Sequence, residues 1–121
     1  MLLEETKNWL DMVDRTGFQV KEIIKQYKDT LLECGIKVER IILYGSFAQG
    51  DLRENSDIDL VVVSDNFQKM NLREGLEVLG IGAAKIMKPI EAKGYTAKEI
   101  KSAPKISFLS EILKSGININ V

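Results

Sequence analysis

The sequence contains no histidine and only one cysteine, Cys34, among its 121 residues. The lack of histidine excludes Ser–His–Asp triads, histidine general bases and zinc sites with histidine ligands. A lone cysteine cannot form an internal disulfide, so no disulfide framework supports the fold, and Cys34 is expected to be a small core residue. Acid–base or metal chemistry must therefore use carboxylates, lysines, tyrosines or the backbone.

Long apolar runs and a strong excess of one charge are also absent. No stretch approaches the ~20 apolar residues of a membrane span, and the N-terminus carries acidic residues where a signal peptide would be apolar. These features predict a cytoplasmic protein without a membrane partner. The net charge of −1 gives no overall attraction to nucleic acid, so no nucleic-acid partner is expected. A hydrophobic share of 45% and a charged share of 29% are ordinary for a globular domain.

The apolar periodicity predicts helices alternating with strands in a single domain spanning residues 1–121. An extra N-terminal helix is expected over residues 1–16. Thr16 and Gln19 then fit a capping box that opens a helix over residues 18–34. Strands are expected over residues 38–44, 57–63 and 90–95, with capping boxes at Asn71–Glu74 and Thr96–Glu99, a last helix from Phe108 to Gly116 and an edge strand in the tail. The order predicts an α/β or α+β fold.

The first chemical signal is the pair Gly45-Ser46, which ends an apolar strand and leads into a helix start. Backbone N–H groups and the dipole at such a point bind anions, including phosphate. An ordinary turn after a strand has the same sequence, so the pair alone is weak evidence. A P-loop is excluded because Asp51 follows Gly50 where that motif requires lysine.

The second signal is the pair Asp57 and Asp59, which follows Ser46 after ten intervening residues. Residues two apart on a strand point to the same face. Two carboxylates held together without a cation are costly, and Mg²⁺ is typically held by one or two carboxylates plus phosphates. A solvated acid pair is the alternative. Because short connections usually join adjacent strands, the phosphate turn and the aspartates are expected to meet at one end of the sheet, as phosphoryl transfer requires.

Glu91 is the candidate third carboxylate, on an otherwise apolar predicted strand. Attack on phosphorus needs a group that removes the proton of the nucleophile, and Glu91 is the candidate base and shared metal ligand. The alternative is a solvent-facing residue paired with Lys93 or Lys88. Glu99 is a poorer candidate because the capping box already accounts for it.

Together these residues resemble the minimal nucleotidyltransferases of the DNA polymerase beta-like superfamily. That signature is Gly-Ser, ten intervening residues and Asp-x-Asp, and the likeness covers most of the chain. It implies a small mixed sheet backed by helices, ATP as substrate and Mg²⁺ as cofactor. It also implies specific roles: triphosphate binding by Gly45 and Ser46, and metal binding and catalysis by Asp57, Asp59 and Glu91. The family often has aspartate where Glu91 stands.

The resemblance also implies a biological setting. Small single-domain members often pair with an all-helical HEPN toxin, act as its antitoxin and transfer AMP from ATP to a tyrosine hydroxyl of that toxin. Two alternatives stay open: a non-catalytic antitoxin that acts by binding, and a small-molecule nucleotidyltransferase completed by a partner subunit. The first helix is expected in the core, with an oligomer or partner surface as the alternative.

Overall fold

The computed structural model describes residues 15–50 and 57–121. This part of the chain forms four α-helices and four strands. In chain order they are α1 (Arg15–Glu33), β1 (Arg40–Tyr44), β2 (Ile58–Val63), α2 (Leu72–Ile86), β3 (Ile90–Tyr95), α3 (Ala97–Lys101), α4 (Phe108–Ser115) and β4 (Ile117–Ile119). Short 3₁₀ turns at Ser46–Gln49 and Asp65–Lys69 follow β1 and β2. The predicted N-terminal helix, except for its last two residues, and the predicted loop over residues 51–56 lie outside the described residues.

The strands form one mixed sheet in the order β3-β2-β1-β4. Strand β1 is antiparallel to both β2 and β4, whereas β2 and β3 are parallel and are connected through α2. This confirms the expected small mixed sheet backed by helices. The end of β1 and the starts of β2 and β3 therefore lie at the same edge of the sheet.

The main core lies between the sheet and the helices α1 and α2. Alternate strand residues point toward these helices, as the period of two requires. The buried side chains of this core include Ile24, Tyr27, Leu31, Ile41, Leu43, Ile58, Leu60, Val62, Leu79 and Ala83. The hydroxyl of Tyr27 donates a 2.8 Å hydrogen bond to the carbonyl of Leu79, which ties α1 to α2 inside the core. A side chain at Gly82 would lie 2.9 Å from Leu31, so this glycine allows the close helix contact.

The opposite face of the sheet is covered only in part. A smaller cluster, with Ile42, Val61, Val63 and Ile112 at its centre, packs beneath α3 and α4. Because side chains alternate along each strand, the odd-numbered residues at the start of β2 and β3 face this side. At the end of β1, Tyr44 is half-buried and Gly45 is exposed.

Helix ends follow local capping chemistry in most places. The capping boxes of Asn71 with Glu74 and of Thr96 with Glu99 are both present, as predicted. Helix α1 ends near Gly35, whose φ of 95° is left-handed, and the N–H of Ile36 donates back to the carbonyl of Leu31 at 2.8 Å.

Two sequence predictions around α1 are wrong. The helix already includes Arg15, Thr16 and Gly17, so it does not begin at Thr16. Threonine and glycine inside a helix cost only about 0.5–1 kcal/mol each, which the packing of the following apolar face outweighs. Cys34 is half-buried at the end of the helix, because the chain turns away there at Gly35.

None of the helices in the described ranges is long and apolar enough to cross a lipid bilayer.

Candidate active site

The turn after β1 lies directly against a carboxylate. Gly45 has φ 76° and ψ −155°, and the N–H of Ala48 donates to its carbonyl at 3.1 Å, which closes the 3₁₀ turn. A side chain at Gly45 would overlap Oδ2 of Asp59 and lie 3.2 Å from its Cγ. Glycine is therefore needed twice, for the left-handed backbone and for the close approach. The structure brings the Gly45-Ser46 turn and Asp59 together at one edge of the sheet.

The strand register brings a second carboxylate beside the first. Asp59 pairs with Tyr44 on one side and with Glu91 on the other. Glu91 alternates with Ile90 and Ala92, which pack in the main core, so its side chain lies on the same open face as that of Asp59. Asp57 precedes β2 by one residue, is exposed and shares this face through the period of two.

The carboxylates disturb one another electrostatically. Burial raises the pKa of Asp59, the charges of Glu91 and Asp57 raise it further, and Lys93 acts in the opposite direction. A carboxyl with a raised pKa is poorly compensated in its charged form. Burial and the neighbouring carboxylates therefore both disfavour the charged form of Asp59 at this edge of the sheet.

Lys93, which the sequence offered as a possible ion-pair partner of Glu91, does contact Glu91 and forms a group with Tyr44 and Phe108 around the same face. The ammonium of Lys93 donates to the Tyr44 hydroxyl at 3.2 Å and lies 3.6 Å from Oε1 of Glu91. It also lies 5.5 Å from the centre of the Phe108 ring, which meets the Tyr44 ring edge-to-face at 5.8 Å. The available signal was the spacing of two between Glu91 and Lys93, which places both on one strand face.

The expected group of three metal-binding carboxylates is not preformed. In residues 15–50 and 57–121, no set of three or more Asp, Glu or Cys side chains is positioned to hold a metal ion together. Without a cation the like charges repel, and Glu91 has Lys93 as its counter-ion. The pair Asp57 and Asp59, beside a backbone turn, nevertheless fits Mg²⁺, which takes its other ligands from phosphates and water.

Comparison with known proteins defines the family. Residues 19–117 match the nucleotidyltransferase domain. The chain belongs to this family. The matched segment contains all five predicted site residues, strands β1 to β3 and the first residue of β4.

Two relatives of this nucleotidyltransferase come from Methanocaldococcus jannaschii. One, named "Putative protein adenylyltransferase MJ1379", is 33% identical over 72% of this chain and 93% of its own length. The other, "Putative protein adenylyltransferase MJ0141", is 31% identical over 84% of this chain and 99% of its own.

Solved structures show the same fold. One is described as "a putative nucleotidyltransferase from Sulfolobus solfataricus", with a TM-score of 0.58 at 17% identity, covering 84% of this chain and 79% of that one. Another is described as "the toxin-antitoxin with AMP-PNP", with a TM-score of 0.55 at 22% identity, covering 78% and 70% of the two chains.

Proposed function

We propose that this nucleotidyltransferase transfers AMP from ATP, with Mg²⁺, to a hydroxyl group of a partner protein in the cytoplasm. The observation that carries the proposal is the convergence of the Gly45 turn, Asp59 and Glu91 at one edge of the sheet. Membership of the family supplies nucleotidyl transfer as the reaction. The names of the two archaeal relatives support adenylyl transfer and a protein acceptor.

Each residue has a role in the proposed reaction. The backbone of Gly45 and the hydroxyl of Ser46 bind the triphosphate, and Asp57, Asp59 and Glu91 would hold the cation. The acceptor oxygen attacks the α-phosphorus, a new O–P bond forms, and the bond to the departing pyrophosphate breaks. Glu91 accepts the proton of the acceptor hydroxyl. Bound Mg²⁺ would neutralise the negative charge of the phosphates. Phosphoryl transfer depends chiefly on this neutralisation.

The proposed partner is a HEPN-type helical toxin, for which this chain serves as antitoxin. The fold shared with the protein described as a toxin–antitoxin with AMP-PNP supports this assignment. Glu91 is 58% exposed, so a hydroxyl on the surface of another protein can reach it. This exposure of Glu91 suits a macromolecular acceptor better than an enclosed pocket would.

Label transfer tests the reaction. The purified chain is incubated with Mg²⁺, ATP and a purified HEPN-type helical protein, with ³²P at either the α or the γ position of the ATP. The partner should gain label from α-labelled ATP and none from γ-labelled ATP. Asp59→Asn should lower the rate at least about a hundredfold, as loss of transition-state charge stabilisation does. Asp29→Asn, an exposed change on α1, should leave it unaltered.

The outcomes separate the alternatives. Label from the γ position, or an unaltered rate in Asp59→Asn, would refute the proposal. A partner that is bound and silenced without gaining label would support the non-catalytic antitoxin instead.

The role of Glu91 is tested separately. Glu91→Gln removes the proton acceptor and should slow transfer about a hundredfold or more. Glu33→Gln, an exposed change at the end of α1, is the matched control. Unchanged turnover in Glu91→Gln would remove this residue from the mechanism.

A further inference from the structure

Lys93 places an ammonium group within the acidic face of the site. It lies two residues after Glu91 on β3, opposite Val61 of β2, and its side chain is 36% exposed. Its ammonium contacts the Tyr44 hydroxyl at 3.2 Å and Oε1 of Glu91 at 3.6 Å. The proposed function gives Lys93 no role, although it touches a residue that does have one.

The position of Lys93 is held from several sides. Its ammonium lies 6.0 Å from the centre of the Tyr44 ring and 5.5 Å from that of Phe108, and the two rings pack edge-to-face against each other. The side chain is therefore a fixed positive charge, unlike a freely solvated surface lysine.

A fixed ammonium and a metal ion compete for the same carboxylate. The described carboxylates do not form a three-ligand metal group, and Glu91 is in contact with Lys93. Asp59 pairs with Glu91 in the sheet and lies on the same face. A divalent ion that enters beside Asp59 gains Glu91 as a ligand only if the contact with Lys93 is given up.

We propose, on the basis of the proposed function, that Lys93 is a positioning residue that acts as a built-in counter-ion for Glu91. In the metal-free site it holds Glu91 through their 3.6 Å contact. Binding of the divalent ion transfers Glu91 from the ammonium to the metal. Lys93 thus weakens metal binding in the resting protein and makes the third carboxylate available only when the ion is present.

Mn²⁺ binding tests this inference without reference to activity. Free Mn²⁺ is measured by electron paramagnetic resonance during titration of the wild type, Lys93→Met and Lys114→Met. Methionine keeps an unbranched side chain of similar length, and Lys114 is an exposed lysine on α4. We expect Lys93→Met to bind Mn²⁺ about threefold to tenfold more tightly, since the ion no longer has to displace the ammonium from Glu91. Lys114→Met should match the wild type.

A double-mutant cycle identifies the residue through which Lys93 acts. If Lys93 competes for Glu91, its replacement should change Mn²⁺ affinity much less when Glu91 is already glutamine. Lys93→Arg, which keeps the charge, should retain the weaker affinity of the wild type. Thermal melts of every variant confirm that each is folded.

Equal Mn²⁺ affinities in Lys93→Met and the wild type would overturn this inference and leave the proposed function standing. The same holds if Lys93→Met changes Mn²⁺ affinity as much in the Glu91→Gln background as in the wild type. A wild-type protein that binds no Mn²⁺, with or without ATP, would overturn both the proposed function and this inference.

Discussion

Replacing Asp59 with asparagine should make the metal-free protein more stable while it removes nucleotidyl transfer. The pKa of Asp59 is raised by burial and then by the charges of Glu91 and Asp57. A carboxyl whose pKa is higher in the folded than in the unfolded state contributes stability at low pH, which is lost as the pH rises through the raised pKa. Asparagine keeps the shape of the side chain and removes the unfavourable charge.

The size of the effect follows from the sheet geometry. Asp59 and Glu91 are paired on neighbouring strands, and such strands lie roughly 4.8 Å apart. Two like charges at about this distance repel by up to ~1 kcal/mol in water. Asp59 is only partly buried, so solvent screens it, and Lys93 offsets part of the repulsion. We therefore expect a net gain of about 0.5–1 kcal/mol, which corresponds to roughly 2–5 °C in Tm for a domain of this size.

Thermal melts without metal measure this gain. At pH 7.5 Asp59→Asn should melt above the wild type, and the gain should shrink as the pH is lowered toward the raised pKa, because the wild-type carboxyl then becomes neutral as well. Asp29→Asn, on the exposed side of α1, should show no comparable gain. A variant less stable than the wild type at pH 7.5 would refute the argument, since it would mean that the charge of Asp59 stabilises the metal-free fold.

Further variants test the turn and the core. Gly45→Ala should cost ~2 kcal/mol or more in unfolding free energy and abolish transfer, because it combines a left-handed φ with overlap on Asp59. Gly35→Ala has the same backbone penalty but nothing within 4 Å, so it should cost only ~1 kcal/mol and retain transfer; equal losses of activity would contradict this account. Gly80 is exposed within α2, and Gly80→Ala should raise the unfolding free energy measured in urea by about 0.5–1 kcal/mol. A lower unfolding free energy would contradict the finding that a side chain at Gly80 meets no neighbouring atom. Tyr27→Phe removes the bond to Leu79 and should cost about 1 kcal/mol by the same assay, whereas no change would mean that this bond adds nothing to stability.

Much of the fold is predictable because local chemistry and periodicity agree. The capping boxes at Asn71 and Thr96 each satisfy backbone donors at a helix start, so four residues of sequence are enough to recognise each one. The period of two in β2 and β3 correctly separates the residues of the main core from those of the open face. The expectation that the Gly45 turn meets the Asp59 strand at one edge follows from the short connection between β1 and β2.

The contacts across strands are less predictable. Glu91 reaches Asp59 only because β2 and β3 pair in one particular parallel register, and a shift by one residue would turn it to the other face. The competition between Lys93 and a metal ion for Glu91 depends on Tyr44 and Phe108, which come from two other elements. The start of α1 is also hard to predict. The helix already includes Thr16, because packing outside the capping residues decides where it begins.

The most direct test of the shared site is the binding of α,β-methylene-ATP, which cannot be cleaved at the α-phosphorus, measured by calorimetry with and without Mg²⁺. If the Gly45 turn and Asp59 act as one site, Mg²⁺ should strengthen binding at least about tenfold in the wild type and in the controls Asp29→Asn and Gly35→Ala. That gain should be lost in Asp59→Asn and in Gly45→Ala. Binding that ignores both Mg²⁺ and these two substitutions would contradict the account.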